Sequence, residues 1–363
     1  MMARQRGFSR RDFLKGSLFA GGALSLSGLL SFVQYRQAHA QANGPLRAAM
    51  SSAGLAGTWN AQGQEAALWW ADLLGVEIVW FDGEFDPAIQ RGKVDQMATE
   101  DWDFVAIQPG SIGTLVEPLT SIIQAGTPFI DMDTLVAPFD QMREMGVLTF
   151  IAPDNVFMSE SVVRRLVEKM NYEGKIAHIG GQPGHTGAQA RQQGFYNIVN
   201  QYDAIEVVDD QPADWDNARA AALTESILNR HPDLKAIFAD NDDMALAARQ
   251  AVENAGLGDQ VLVGGVDAMS PAIEAVADGR LVATARNSAT RIHGWAVLIG
   301  AYAASVGLEQ ARQEIPFFIL ADGPAIYADI DSNPDLADEP WKLSNYGFSS
   351  AAGQVWLQEH FLF

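Results

Sequence analysis

The sequence predicts an α/β fold built from doubly wound parallel sheets, and three observations support this. Apolar strands alternate with helices, most clearly across 236–287, where the order is strand, helix, strand, helix, strand. Within that stretch, Val261–Val263 is apolar on both faces, as in a parallel sheet that helices cover on both sides. The chain has 363 residues, of which 48% are hydrophobic, and this length is enough for two domains.

The helices of the 236–287 stretch have recognisable ends. From Met244, apolar residues recur at helical spacing until Gly256, a residue suited to a left-handed helix stop. A second helix is predicted to begin at Ser270, with a proline in its first turn, and to end at Gly279. These helix ends leave only short segments for the strands between them, as in a doubly wound sheet.

The same alternation runs through the earlier part of the chain. Strands are predicted at Leu46–Met50, 76–81, Phe104–Ile107 and Pro128–Met132, and helices lie between them. A second series of strands and helices follows, and it predicts that a second lobe starts near Ala152.

The first forty residues have the features of a targeting segment. Ser9–Lys15 reads SRRDFLK, Leu18–Val33 is uncharged and apolar, and Ala38–His39–Ala40 has the small-x-small pattern of a cleavage site. This resembles a twin-arginine export signal, which implies a bacterial protein exported to the periplasm. The alternative is an uncleaved membrane anchor, but the apolar run is shorter than the roughly 20 residues needed to span a bilayer.

Charge and composition exclude several classes of function. The formal net charge is −21, and the predicted signal is basic, so the remainder is more acidic still. Such a surface argues against binding to nucleic acid or to anionic membranes, and no later segment is apolar enough for stable membrane insertion. The absence of cysteine excludes disulfides, thiolate catalysis and cysteine-ligated zinc.

Polar residues follow three successive strands of the 236–287 stretch. Asn241, Asp267 and Asn287 each come just past the carboxyl end of a predicted strand. In open α/β sheets, ligands bind in the crevice outside those ends. Asn and Asp are also preferred helix caps, so one such residue alone proves little. Three together favour a polar binding site.

Two tryptophans are candidates for an aromatic platform. Trp59 and Trp215 are each predicted to lie in a polar loop at a strand end, although a buried core position is the alternative. A sugar ring or polyol has apolar C–H faces edged with hydroxyls, so it suits flat aromatics surrounded by hydrogen-bonding groups. Asp133 and Arg191, with the three strand-end residues, could supply those groups, because charged partners bind hydroxyls strongly.

The sequence contains no pattern that demands catalysis or a cofactor. The turn 180–185 (GGQPGH) lacks the spacing of a nucleotide-binding loop, and the four residues Asp240–Asp243 fit the solvated start of a helix. His178, His185 and His293 are too scattered to predict a zinc site. We therefore expect neither a cofactor nor a metal.

Five segments together resemble periplasmic sugar-binding proteins of the ribose/galactose type, which have the type I fold and serve ABC importers. The resemblance extends from Leu46 to about Leu320. The segments are APDN (152–155), RQQGF (191–195), QPADWDNAR (211–219), IFADNDDMALAA (237–248) and VGGVDAMSPAIEAVADGRLVAT (263–284).

The resemblance implies a set of ligand-binding residues and also three departures from the family pattern. Thr134 stands where an arginine is expected, Val266 replaces an aromatic residue, and Asn287 is shorter than the expected glutamine. The ligand should therefore be sugar-like, while ribose itself is in doubt. The implied ligand-binding residues are Trp59, Asn60, Asp133, Arg191, Trp215, Asn241, Asp267 and Asn287.

The resemblance further implies two lobes joined by a three-segment hinge. The expected organisation is a signal at 1–40, a first lobe at 45–151 plus 288–316, a second lobe at 152–287 plus 317–321, and an extension at 322–363. The expected function is a monomeric receptor that delivers a monosaccharide or sugar alcohol to an ABC permease. Two alternatives stay open: a sensor that hands its ligand to a chemoreceptor or kinase, and a sugar-processing enzyme with Asp133 and Asp267 as its acid pair.

Overall fold

The computed structural model describes residues 25–321 and 326–328. The paired arginines of the predicted export signal and most of the predicted extension at 322–363 lie outside the described residues. The strands are β1 (Leu46–Ser52), β2 (Val76–Asp82), β3 (Phe104–Ile107), β4 (Phe129–Met132), β5 (Thr149–Ala152), β6 (Gly174–Gly180), β7 (Ile205–Pro212), β8 (Leu234–Ala239), β9 (Leu262–Asp267), β10 (Ala283–Arg286), β11 (Phe318–Leu320) and β12 (Ile326–Ala328).

Helices fill the connections between these strands. They are α1 (Ser25–Asn43), α2 (Thr58–Leu74), α3 (Pro87–Met97), α4 (Val116–Gln124), α5 (Phe139–Met145), α6 (Asn155–Lys169), α7 (Thr186–Val199), α8 (Asn217–Arg230), α9 (Asp242–Asn254), α10 (Ser270–Ala277), α11 (Ala289–Val306) and α12 (Leu308–Glu314). None of the helices within the described ranges is long and apolar enough to cross a membrane.

The strands form two six-stranded sheets, which confirms the predicted fold class. The first sheet has the order β11-β5-β4-β3-β1-β2 and is parallel throughout. The second has the order β12-β10-β9-β8-β6-β7 and is parallel except for β12, which runs antiparallel to β10. Each sheet is covered by helices on both faces, so each lobe has apolar clusters on both sides of its strands.

The assignment of 317–321 to the second lobe is wrong. β11 pairs in parallel with β5 of the first sheet, with Phe318 opposite Phe150. The two rings stack with centroids 5.9 Å apart, and Ile319 is fully buried in the first-lobe core. After β11, the chain returns to the second sheet at β12, which lies within the segment predicted to be an extension. Aromatic packing at the edge of β5 therefore holds this segment in the first lobe.

Helix α1 runs through the predicted cleavage site at 38–40 and packs against the first lobe. Phe32 and Val33 lie in the first-lobe core, and the ring of Phe32 meets Tyr302 of α11 edge-on at 5.8 Å. The guanidinium of Arg36, which is 1% exposed, donates hydrogen bonds to the carbonyls of Leu74 and Gly75 at 3.3 and 3.4 Å. Cleavage after Ala40 stays a prediction.

Candidate ligand-binding site

A cavity lies between the lobes, at the carboxyl ends of both sheets. The cavity volume is about 40 Å³, and the cavity is partly open to solvent. The structure brings all eight predicted site residues together on its walls: Trp59, Asn60, Asp133, Arg191, Trp215, Asn241, Asp267 and Asn287. The other lining residues are Ala53, Gly57, Phe85, Gln108, His185 and Asp243.

The backbone around this cavity is unusual. Four of its residues have positive φ angles although none is glycine: Phe85 (55°), Asp133 (59°), Trp215 (63°) and Asp267 (126°). Residues other than glycine adopt positive φ angles at an energetic cost, and such backbone strain is common at functional sites. The strain here turns the four side chains into the space between the lobes.

Arg191 and Asp267 form a buried ion pair on the second-lobe wall. Arg191 Nη2 lies 3.2 Å from Asp267 Oδ1, and the two side chains are 5% and 6% exposed. Arg191 also donates to Asn155 Oδ1 at 2.9 Å and to the carbonyl of Asp240. Burial raises the pKa of Asp267 to about 7, while the charge of Arg191 opposes that rise. Asn287 Nδ2 donates to Asp267 Oδ1 at 3.3 Å.

A charged network behind this wall holds Asp240 in place. The ring of His178 lies 2.7 Å from Asp210 and 2.9 Å from Asp240, and it stacks against Phe195 and Phe238, which also stack on each other. Burial disfavours the charged imidazole, but the two carboxylates outweigh burial and raise the pKa of His178 to about 9. The imidazolium is therefore present at neutral pH. It holds Asp240, whose backbone carbonyl accepts a hydrogen bond from Arg191.

Trp59 lies in the first turn of α2, not in a loop as predicted. The helix begins at Thr58, and Gly57 takes the N-cap position without a side-chain cap that the sequence could reveal. Trp59 is 7% exposed, donates from Nε1 to the carbonyl of Asn287 at 2.8 Å, and meets His293 edge-on at 5.2 Å. It therefore both packs in the core and lines the cavity.

Trp215 fits the predicted aromatic platform more closely. It lies in the loop between β7 and α8, is only half-buried, and its ring lies directly against Gly181. A Cβ atom at Gly181 would lie 2.1 Å from the ring, so only glycine permits this position. The guanidinium carbon of Arg191 lies 5.8 Å from the ring centroid, within cation–π range.

Asn241 serves two purposes. Its Oδ1 accepts a hydrogen bond from the Met244 backbone N–H at 2.9 Å, so it caps α9 as the alternative interpretation held. It also lines the cavity. Its capping role fixes the side chain at the end of β8.

Three buried oxygens at the cavity are hydrogen-bond acceptors that have no partner among the described residues. They are Asn60 Oδ1, Asp133 Oδ1 and Asn287 Oδ1. The amide groups are oriented by their nitrogens, since Asn60 Nδ2 donates to Gly54 O at 2.7 Å and Asn287 Nδ2 to Asp267. A buried acceptor without a donor is costly, so these oxygens suit a ligand that brings several N–H or O–H groups.

The two lobes contact each other around the cavity. The backbone N–H and the hydroxyl of Thr58 donate to the carboxylate of Asp243 at 3.0 and 2.8 Å. On the opposite side, Leu135 N–H donates to Thr186 Oγ1 at 3.0 Å. The structure is therefore a closed arrangement of the lobes.

Sequence reasoning missed four side chains that line the cavity. Gln108 directly follows β3, so the strand-end rule that found Asp267 could also have found it. His185 lies in the glycine-rich turn 180–185 and Asp243 in the acidic start of α9, and neither pattern by itself predicts a sugar site. Phe85 reaches the cavity through a left-handed backbone turn, for which the sequence offers no signal.

Comparison with known proteins finds relatives of the chain. A family described as a periplasmic binding protein domain matches residues 48–307. The ribose import binding protein of Bacillus subtilis (strain 168) is 31% identical over 211 residues, which are 58% of this chain and 66% of that protein. The D-allose-binding periplasmic protein of Escherichia coli (strain K12) is 29% identical over 259 residues, 69% of this chain and 82% of that protein.

A solved structure agrees with these sequence matches. An ABC transporter solute binding protein from Mycobacterium smegmatis, with bound glycerol, superimposes with a TM-score of 0.71 at 29% identity. The superposition covers 80% of this chain and 96% of that one. The relatives are thus similar in fold along both lobes.

Proposed function

This chain belongs to the periplasmic binding protein family, and we propose that it binds a monosaccharide or sugar alcohol between its lobes and delivers it to the permease of an ABC importer. It is a solute-binding receptor located in the periplasm. Ligand binding holds the lobes closed, and the closed form is what the permease receives.

The choice of ligand rests on one observation. Buried hydrogen-bond acceptors without a partner among the described residues line the same cavity as aromatic rings. Asn60 Oδ1, Asp133 Oδ1 and Asn287 Oδ1 require donors, and a ring or chain with many hydroxyls supplies them. Trp215 offers a flat surface to the C–H face of such a ligand. The Arg191–Asp267 pair adds charge-assisted hydrogen bonds.

A thermal-shift screen against pentoses, hexoses and sugar alcohols tests this proposal. A ligand at about 100 times its Kd stabilises the folded protein by about 2.7 kcal/mol, which produces a measurable rise in melting temperature. Calorimetric titration of each hit then gives the Kd and the stoichiometry. If no member of the panel raises the melting temperature, the polyhydroxyl ligand is excluded.

Export by the twin-arginine route is part of the proposal, and the SRRDFLK motif supports it. Changing Arg10 and Arg11 together to lysine should keep the precursor in the cytoplasm. Fractionation of cells that express each form measures this. Periplasmic delivery of the double variant at the wild-type level would contradict the twin-arginine route. We also propose a monomer, which light scattering on the purified protein tests.

A further inference from the structure

The charges on the cavity wall are out of balance. Three carboxylates line it, those of Asp133, Asp243 and Asp267, against one guanidinium, that of Arg191. Asp267 is the carboxylate that pairs with Arg191. Asp243 lies at the edge, where Thr58 binds it. The third carboxylate, that of Asp133, is buried at 4% exposure.

Every described contact of the Asp133 carboxylate is with a neutral group. Oδ2 accepts from Gln108 Nε2 at 3.0 Å and from the hydroxyl of Thr134 at 3.4 Å. The ring of His185 lies 3.6 Å away, and burial lowers the pKa of His185 to about 4, so it is neutral at pH 7. The His185 Nδ1 accepts from the Ala188 N–H, which fixes the neutral tautomer.

The other oxygen of Asp133 is buried, and Asp133 lines the cavity. Oδ1 has no hydrogen-bond partner among the described residues, and no described Lys or Arg lies within ion-pair distance of the carboxylate. A buried carboxylate without a cation is unfavourable unless something supplies the missing positive charge. Since Asp133 lines the cavity, a ligand bound there is placed to supply that charge.

We infer that the cavity prefers a polyhydroxyl ring that carries a protonated amine over the same ring with a hydroxyl in that place, and that the ammonium binds Asp133 Oδ1. This inference rests on the proposed function, because it specifies the ligand within the sugar and polyol class. An ammonium brings three N–H donors and a full charge to an acceptor that lacks both. A ligand with a carboxylate or phosphate is disfavoured at the same place by like-charge repulsion.

Matched pairs of ligands test this inference on the full chain. Calorimetric titration at about pH 6, where an amine carries its proton, would compare D-glucosamine with D-glucose, D-galactosamine with D-galactose, D-mannosamine with D-mannose, and an aminocyclitol with its parent cyclitol. We expect at least one amine to bind ten or more times tighter than its hydroxyl partner. The advantage should shrink at higher pH, where the amine loses its proton.

Two variants assign the effect to Asp133. Asp133→Asn keeps the shape and the acceptor but removes the charge, so the ratio of amine to hydroxyl affinity should fall to about one. Asp140→Asn makes the same change on an exposed residue of the same lobe and should leave the ratio unchanged. Melting curves without ligand check that each variant is folded.

The outcomes separate the inference from the proposed function. Neutral members that bind as tightly as their amines, in every pair that binds at all, overturn the inference and leave the proposed function standing. A persistent amine preference in a folded Asp133→Asn variant overturns the assignment to Asp133 and with it the inference. Absence of binding by every pair overturns the inference, and the proposed function falls with it only if the panel of pentoses, hexoses and sugar alcohols also fails.

Discussion

The two walls of the cavity differ in how far their polar groups are paired within the protein. On the second-lobe wall, Arg191 reaches Asn155, Asp240 and Asp267, so this wall is assembled before any ligand arrives. On the first-lobe wall, Asn60 and Asp133 each keep one buried oxygen without a described partner. Asn287, which follows β10 of the second sheet, keeps one such oxygen as well, so the walls differ in degree: the second is largely paired within the protein, and the first depends more on the ligand.

This difference indicates an order of events. A preassembled wall binds a ligand at little conformational cost, so the second lobe is the natural place for first contact. The first lobe then closes, and its unpaired acceptors gain donors from the ligand. A site of this kind couples lobe closure to ligand chemistry, because closure without a suitable ligand leaves those acceptors buried and unpaired.

The largest expected effect comes from breaking the preassembled wall. Arg191→Ala leaves Asp267 buried without its cation, so the free energy of unfolding should fall by about 3–5 kcal/mol and ligand binding should be lost. Denaturant unfolding and calorimetry measure both. Arg219→Ala is the matched control, because the exposed Arg219–Asp214 pair should contribute at most about 1 kcal/mol. Equal effects of the two variants would contradict the distinction.

The two tryptophans sharpen the comparison. Trp59 is a core residue, so Trp59→Ala should lower the free energy of unfolding without ligand by about 3 kcal/mol or more. Trp215 is half-buried, so Trp215→Ala should change ligand-free stability far less and weaken binding by about 1 kcal/mol or more. Melting curves and titrations of both variants measure these effects. Unchanged affinity for Trp215→Ala would exclude it as a platform.

The network behind the second wall predicts a pH dependence. The folded-state pKa of His178 is about 9, above its ordinary value of 6.5. Its contribution to stability is therefore present in full below pH 6.5, declines as the pH rises, and is lost above about pH 9. His178→Gln should reduce the fall in the free energy of unfolding between pH 6.5 and about pH 9, and His231→Gln should leave that fall unchanged. An unchanged slope in His178→Gln would show that other groups cause it.

The smallest effect is expected at the contact between the lobes. Asp243→Asn removes the charge that Thr58 binds in the closed form, and this partly exposed contact should contribute about 0.2–1 kcal/mol to ligand affinity. Titration of the variant measures it, with Asp259→Asn as an exposed control. Loss of binding altogether would show that Asp243 contacts the ligand strongly.

Strand periodicity predicts the fold and the polar residues at strand ends, whereas Asn60 came only from the family resemblance and Arg191 lies within a helix. Asp267 and Asn287 were found by their positions after short apolar strands, and the structure brings them to one cavity. The assignment of β11 failed because a three-residue strand carries no information about which sheet it joins. The unpaired oxygen of Asp133 was beyond prediction as well, since it depends on where Gln108 and Thr134 direct their donors in space.

Helix α1 adds a side-chain cap to the C-terminus of α2, which already ends in a left-handed glycine, Gly75. α2 terminates with carbonyl groups that carry partial negative charge, and Arg36 covers two of them from outside the helix. The predicted cut after Ala40 would therefore detach a capping cation and the ring of Phe32 together, leaving Tyr302 more open to water. The predicted cut lies within this helix, where Ala38 and Gln41 are exposed, so a protease that needs an extended substrate would act at the rate of local helix unwinding.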